Sequence, residues 1–170
     1  MIATSSNILK TCLLALIGLA FPLKAGGCSC VCRSSLKPWV TQSFQSSAAV
    51  FVGVVEEVVL ERSEVTLAPG HSFPRLNYTA RLAVEEPFEG ANEHSIWVDT
   101  GDGNCSPGKL HVGERYLIYA ARSDAGAKLW VGSCCNRSRL MSSPNYSRSG
   151  RRELNREISL LRKLRSKDSH

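Results

Sequence analysis

Beyond one N-terminal run, this 170-residue chain has no long hydrophobic stretch, no internal repeat and no extended low-complexity segment. A membrane-crossing helix needs about 20 predominantly apolar residues, and nothing downstream of that run supplies them. No transmembrane segment is expected in the mature chain. His-Glu-x-x-His is missing, and His71, His94, His111 and His170 are scattered, so the zinc-protease pattern is excluded. Gly-x-Ser-x-Gly and the phosphate-binding glycine loop are missing too. The chain is therefore not expected to be an enzyme, and no motif asks for a resident cofactor. Residues 99–104, Asp-Thr-Gly-Asp-Gly-Asn, lack the ligand spacing and terminal glutamate of a calcium loop and read as a tight turn. The thioredoxin-like Cys-x-x-Cys spacing does not occur either.

What is present begins with a three-part leader. Lys10 precedes the apolar run from Cys12 to Phe21, which ends at Pro22 and the small residues Ala25, Gly26 and Gly27. That layout predicts a signal peptide over residues 1–27, cut after Ala25 or after Gly27, and a secreted or periplasmic product. A lipoprotein signal would also cut before Cys28 and acylate it. Lys24, however, stands where such signals carry a small or apolar residue, which favours the unanchored product. Removing the leader removes Cys12 and leaves Cys28, Cys30, Cys32, Cys105, Cys134 and Cys135. An even number of cysteines in an exported chain reads as up to three disulfides, for which fifteen pairings exist. Thiolates alternating along a chain also suit zinc or copper(I), but an oxidising compartment favours bridges.

The formal charge of +6 is unevenly spread. Residues 28–136 hold nine Lys and Arg against twelve Asp and Glu, whereas residues 137–170 hold ten against three. The basic character belongs to the tail.

Lys37–Ser47 spaces Val40 and Phe44 four apart behind a first-turn proline, which predicts a short helix. Ala49–Leu60 is rich in β-branched residues and apolar on both faces at its start, a strand covered on two sides, with Gly53 as a bend or bulge. A polar loop is expected from Arg62 to Pro74. Residues 77–84 alternate, with Tyr78, Ala80, Leu82 and Val84 on one side. Ile96–Val98, Arg115–Ala120 and Lys128–Gly132 read as further strands, and Leu154, Ile158, Leu161 and Leu164 form the stripe of an amphipathic helix over residues 151–167. Five strands with no helical crossover predict a mainly β fold, an antiparallel barrel or sandwich; five is the strand number of the OB type, so the expectation is a five-stranded antiparallel OB-type barrel with a short N-terminal and a C-terminal amphipathic helix. The domain spans residues 28–140, with residues 141–170 forming the basic helix and tail packed upon it. Arg148, Arg151, Arg152, Arg156, Arg162, Lys163, Arg165 and Lys167 make that helix a solvated face suited to an acidic polymer or surface; nucleic acid is not expected.

Cys28-Ser29-Cys30 at a processed N-terminus, the short helix, Val50-Phe51-Val52-Gly53-Val54, Asn104-Cys105 before Glu114-Arg115-Tyr116-Leu117-Ile118, and Trp130-Val131-Gly132-Ser133-Cys134 together resemble the netrin-like domain of tissue inhibitors of metalloproteinases. The resemblance covers roughly residues 28–140 and rests on order and spacing. It implies a metalloendopeptidase inhibitor in which the free α-amine and carbonyl oxygen of Cys28 chelate the zinc of the target protease. Ser29 would enter the adjacent specificity pocket, Cys30 and Val31 would complete the wedge, and Asn104 and Cys105 would form a neighbouring ridge. It also implies the pairs Cys28–Cys105 and Cys30–Cys134, which leaves Cys32 for Cys135. Three departures are present: Cys32 follows the second cysteine by two residues, Ser106 replaces a glycine, and there is no cysteine-rich second domain. The alternative is a non-inhibitory extracytoplasmic binding module of the same fold.

Overall fold

The computed structural model describes residues 35–68, 70–101, 107–122, 128–132, 138–142 and 147–168. Helix α1 (Leu36–Ser46) tolerates Pro38 in its first turn and buries Val40 and Phe44. Strands β1 (Ala49–Ala68) and β2 (His71–Glu89) form one long antiparallel hairpin. They are followed by β3 (Ser95–Gly101), β4 (Arg115–Arg122), β5 (Leu129–Trp130), β6 (Arg139–Leu140) and helix α2 (Arg148–Asp168).

The six strands form one sheet in the order β1-β2-β3-β5-β4-β6, and β1 also pairs with β4. Five of them therefore make a closed ring of pairings. This ring is mixed rather than antiparallel throughout, because β3 and β5 run parallel, Val98 opposite Leu129 and Asp99 opposite Trp130. The reason is one of parity: directions cannot alternate all the way around a ring with an odd number of strands. One adjacent pair must be parallel. The sixth strand, β6, extends the sheet beside β4 through Tyr116 opposite Leu140.

Alternation on β1 and β4 builds two apolar layers. Ala49, Phe51 and Val55 join Tyr116, Ile118 and Ala120 in an inner cluster with Ala80, Leu82, Ile96, Val98, Leu110 and Val131. Val50, Val52, Leu117 and Tyr119 point the other way, onto Val40 and Phe44 of α1 and Leu154, Ile158 and Leu161 of α2. The start of β1 is thus covered on both faces, and Leu164 completes the helix stripe half-buried. Gly53 lies at a register shift between β1 and β2, and a Cβ there would meet Ala83 O at 2.8 Å and Phe51 Cε2 at 3.1 Å. Only glycine lets the two strands approach this closely.

The segment expected to be a loop, Arg62–Pro74, is instead a continuation of the hairpin. The ladder runs without a break in strand assignment to Ala68 opposite His71. Backbone pairing holds this ribbon, and its exposed Phe73 and Leu76 give the sequence no one-sided hydrophobic pattern. Among the described residues β4 pairs with β1 only up to Val54, and β3 with β2 only from Tyr78 to Ala83. Residues 62–68 and 70–76 consequently project beyond the closed ring by roughly 23 Å at the usual rise per strand residue. The strand expected over Lys128–Gly132 is shorter in the ladder, comprising Leu129 and Trp130 alone. Helix α2 begins at Arg148, three residues earlier than the expected start at 151, because Ser147 caps it, its Oγ accepting from Gly150 N at 3.1 Å.

Candidate functional site

The residues that sequence reasoning assigns to inhibition, Cys28, Ser29, Cys30, Val31, Asn104 and Cys105, lie outside the described residues. So do Cys32, Cys134 and Cys135 of the expected bridges. The chain on either side of the later cysteines is described, however. Gly101 ends β3 immediately before residues 102–106, and Gly132 immediately precedes residues 133–137. Because β3 and β5 are parallel neighbours, with Val131 N donating to Asp99 O at 2.7 Å, both segments depart from the same end of the sheet.

Residues that resume after these segments line a cavity of about 310 Å³ formed by Pro107, Lys109, Leu110, His111, Ser138 and Arg139 with Tyr116, Ile118 and Leu140. Within it, Tyr116 Oη donates to Glu114 Oε2 at 2.9 Å and accepts from His111 N at 3.3 Å. Burial, reinforced by that carboxylate, pushes the Tyr116 phenol up to about 12. It remains a neutral donor across the physiological range.

Behind this cavity is a polar network that the sequence reading missed. Glu157 lies fully buried within the apolar stripe of α2. Its Oε1 accepts from Tyr119 Oη at 2.8 Å, and its Oε2 pairs with the Arg139 guanidinium. Arg139 also reaches Glu153 at 3.8 Å. Ser138 Oγ accepts from Tyr119 N at 2.7 Å and donates to Tyr119 O at 3.2 Å, tying β6 to β4. The network fixes the end of the segment carrying Cys134 and Cys135. Its one sequence signal is the position of Glu157, three residues after Leu154 and four before Leu161.

The helices cover only one side of the ring. On the side formed by β1, β2, β3 and β5, outward residues stand in cross-strand rows: Val59 opposite Thr79, Thr79 opposite Asp99, and Asp99 opposite Trp130. A groove of about 200 Å³ lies there, lined by Val59, Glu61, Thr79, Trp97, Asp99 and Lys128. Trp97 is 44% and Trp130 36% exposed. The Arg81 guanidinium carbon sits 5.7 Å from the Trp97 ring centroid and is held by Glu56 at 3.2 Å and Glu57 at 3.3 Å. Lys128 Nζ lies 3.4 Å from both Glu61 carboxylate oxygens. Asp99 Oδ1 accepts from Gly101 N at 2.8 Å. Gly132 makes room for the neighbouring indole, since a Cβ there would fall 2.2 Å from Trp130 Cζ2. At the base of the groove Thr79 Oγ1 is buried without a hydrogen-bond partner among the described residues, as is Asn77 Oδ1 two positions along β2.

On the basic helix, Arg162 pairs with Glu86 at 2.8 and 3.0 Å and Arg165 Nη1 donates to Pro87 O at 2.9 Å. Two of the eight basic residues thus clamp α2 to β2. Arg148, Arg151, Arg152, Arg156, Lys163 and Lys167 face solvent. Among the described residues no three His, Cys, Asp or Glu are grouped to hold a metal, and no helix is long and apolar enough to cross a membrane. The sequence matches no protein-family model and shows no significant similarity to a curated protein.

Proposed function

We propose that the chain is an exported netrin-like protein with an OB-type barrel, which inhibits a zinc metalloendopeptidase through a free N-terminal Cys28. The observation that carries this reading is the ring β1-β2-β3-β5-β4-β1, which has the strand number of an OB barrel. Departure of the Asn104-Cys105 and Cys134-Cys135 segments from one end of that ring supports it further, since bridges to Cys28 and Cys30 need both within reach of one N-terminal strand. A catalytic zinc keeps one position open for water. An amine and a carbonyl oxygen held rigidly by the pairs Cys28–Cys105 and Cys30–Cys134 would replace that water at small entropic cost. Ser29 would then occupy the protease pocket, with Val31, Asn104 and Cys105 on the flanks. The pair Cys32–Cys135 would hold the segment that follows.

The test combines the mass of the exported protein with activity against a panel of zinc endopeptidases. The chain should begin at Cys28, lose six hydrogens to three disulfides, and inhibit at least one protease. One alanine added before Cys28, or carbamylation of its α-amine, should abolish inhibition. Undiminished inhibition by the extended chain, or a mature start at Gly26, would overturn the mechanism. A second reading, a non-inhibitory extracytoplasmic module that binds through its sheet surface or basic helix, draws on the uncovered groove between Trp97 and Lys128.

A further inference from the structure

We propose that the outer face of β1, β2, β3 and β5 is a binding site for a sugar ring of a neutral glycan. The inference stands apart from the inhibitor reading, because it uses none of the residues assigned to the inhibitory edge or to the expected disulfides. Its first support is the pair of exposed indoles, Trp97 on β3 and Trp130 on β5, on the side that neither helix covers. An indole offers a flat apolar surface with a polar handle, which matches the C–H face of a pyranose. Trp97 is held in place by Arg81, and Gly132 leaves room for the Trp130 ring.

The second support is independent and polar. Buried polar atoms in folded proteins nearly always have partners, yet Thr79, only 6% exposed, leaves Oγ1 without a hydrogen-bond partner among the described residues. A ligand rich in hydroxyl groups satisfies it, pairing either way with the Thr79 hydroxyl, which lines the groove. Asp99 and Glu61 add acceptors and Lys128 a donor, which is the mixture of apolar lining and few convergent polar groups expected of a small-ligand site.

Charge decides against an anionic ligand. Glu56, Glu57, Glu61 and Asp99 outnumber Arg81 and Lys128 around the groove, so phosphates and sulfated or uronic polymers would meet repulsion. A volume of about 200 Å³ holds a single ring and not a larger folded ligand.

The experiment is titration of the exported protein with cellohexaose, chitohexaose and mannohexaose, with a heparin hexasaccharide as the anionic probe, read by tryptophan fluorescence and calorimetry. At least one neutral probe should bind and shift the indole emission. Thr79→Val should weaken binding about tenfold by removing the hydroxyl while keeping its shape. Trp97→Ala should abolish it, whereas Trp97→Phe should keep most of it; the Phe variant guards against loss through misfolding. The alanine extension before Cys28 should leave glycan binding intact, which separates this proposal from the inhibitor mechanism. Binding of heparin alone, failure of all three neutral probes, or wild-type affinity in both Thr79→Val and Trp97→Ala would overturn it. So would a dimer that dissociates in Trp97→Ala, since the face would then be covered by a second copy.

Discussion

At the scale of single residues, the least typical position is Glu157, a carboxylate within a hydrophobic helix stripe. Burying an ion pair gains little over an apolar pair, but removing one partner strands a charge and costs about 3–5 kcal/mol. Arg139→Met should therefore destabilise the protein by roughly that amount in urea unfolding, while Arg139→Met combined with Glu157→Leu should recover most of the loss. Equal losses in the single and double variants would mean that the pair contributes nothing beyond packing. Sequence reasoning placed Leu154, Ile158 and Leu161 correctly and passed over Glu157, because a period of 3.6 identifies a face without saying that a charge upon it has found a partner. That partner, Arg139, comes from a two-residue strand with no periodicity of its own. Thr79 escaped notice for a similar reason: as an outward residue in an alternating strand it reads as solvated, and only the neighbouring strands bury it.

At the scale of elements, α2 is fastened by its apolar stripe and by the Glu86–Arg162 contact. The Arg162 guanidinium holds the Glu86 carboxyl below its ordinary value of 4.5 despite partial burial. A carboxylate with a lowered folded-state value stabilises the fold above its unfolded value, and the contribution disappears as pH falls through the folded one. Glu86→Gln should accordingly be less stable than the parent at pH 6, with the gap closing below about pH 4. Paired chemical-denaturation curves at the two pH values would measure this, and a gap that widened in acid would refute the assignment. The core helices and strands were legible because α1, β1, β2 and α2 carry strong periodic signals. The ribbon was not, since Arg62–Pro74 has the composition of a loop and owes its conformation to backbone pairing with the partner strand.

At the scale of the whole molecule, what the chain could not disclose was the order of the strands around the ring and which pair runs parallel. The pairing of β1 with β4 joins residues more than sixty positions apart, and the parallel contact of β5 with β3 involves two residue pairs. Alternation fixes which face of a strand is buried but says nothing of its neighbours around a ring. The reactive end expected at Cys28 came from the family resemblance, and that residue lies outside the described residues. Because both cores lie within the ring and its helices, replacing residues 64–74 with an Asn-Gly turn, which keeps the register of the flanking pair 63 and 75, should leave the domain folded. A thermal midpoint within a few degrees of the parent, with unchanged near-ultraviolet dichroism, is the expected result. Collapse of cooperativity would show that the ribbon belongs to the folding unit.

That ribbon carries one more consequence. A free two-stranded ladder presents unsatisfied amide and carbonyl groups along both margins, the template on which copies of a protein stack into fibres. Here one margin carries Glu61, Arg62 and Glu64 and the other Pro74, which has no amide hydrogen to offer. Charge along one margin and the missing amide hydrogen on the other oppose the addition of a further strand, so the arm can stay extended without templating a copy of itself.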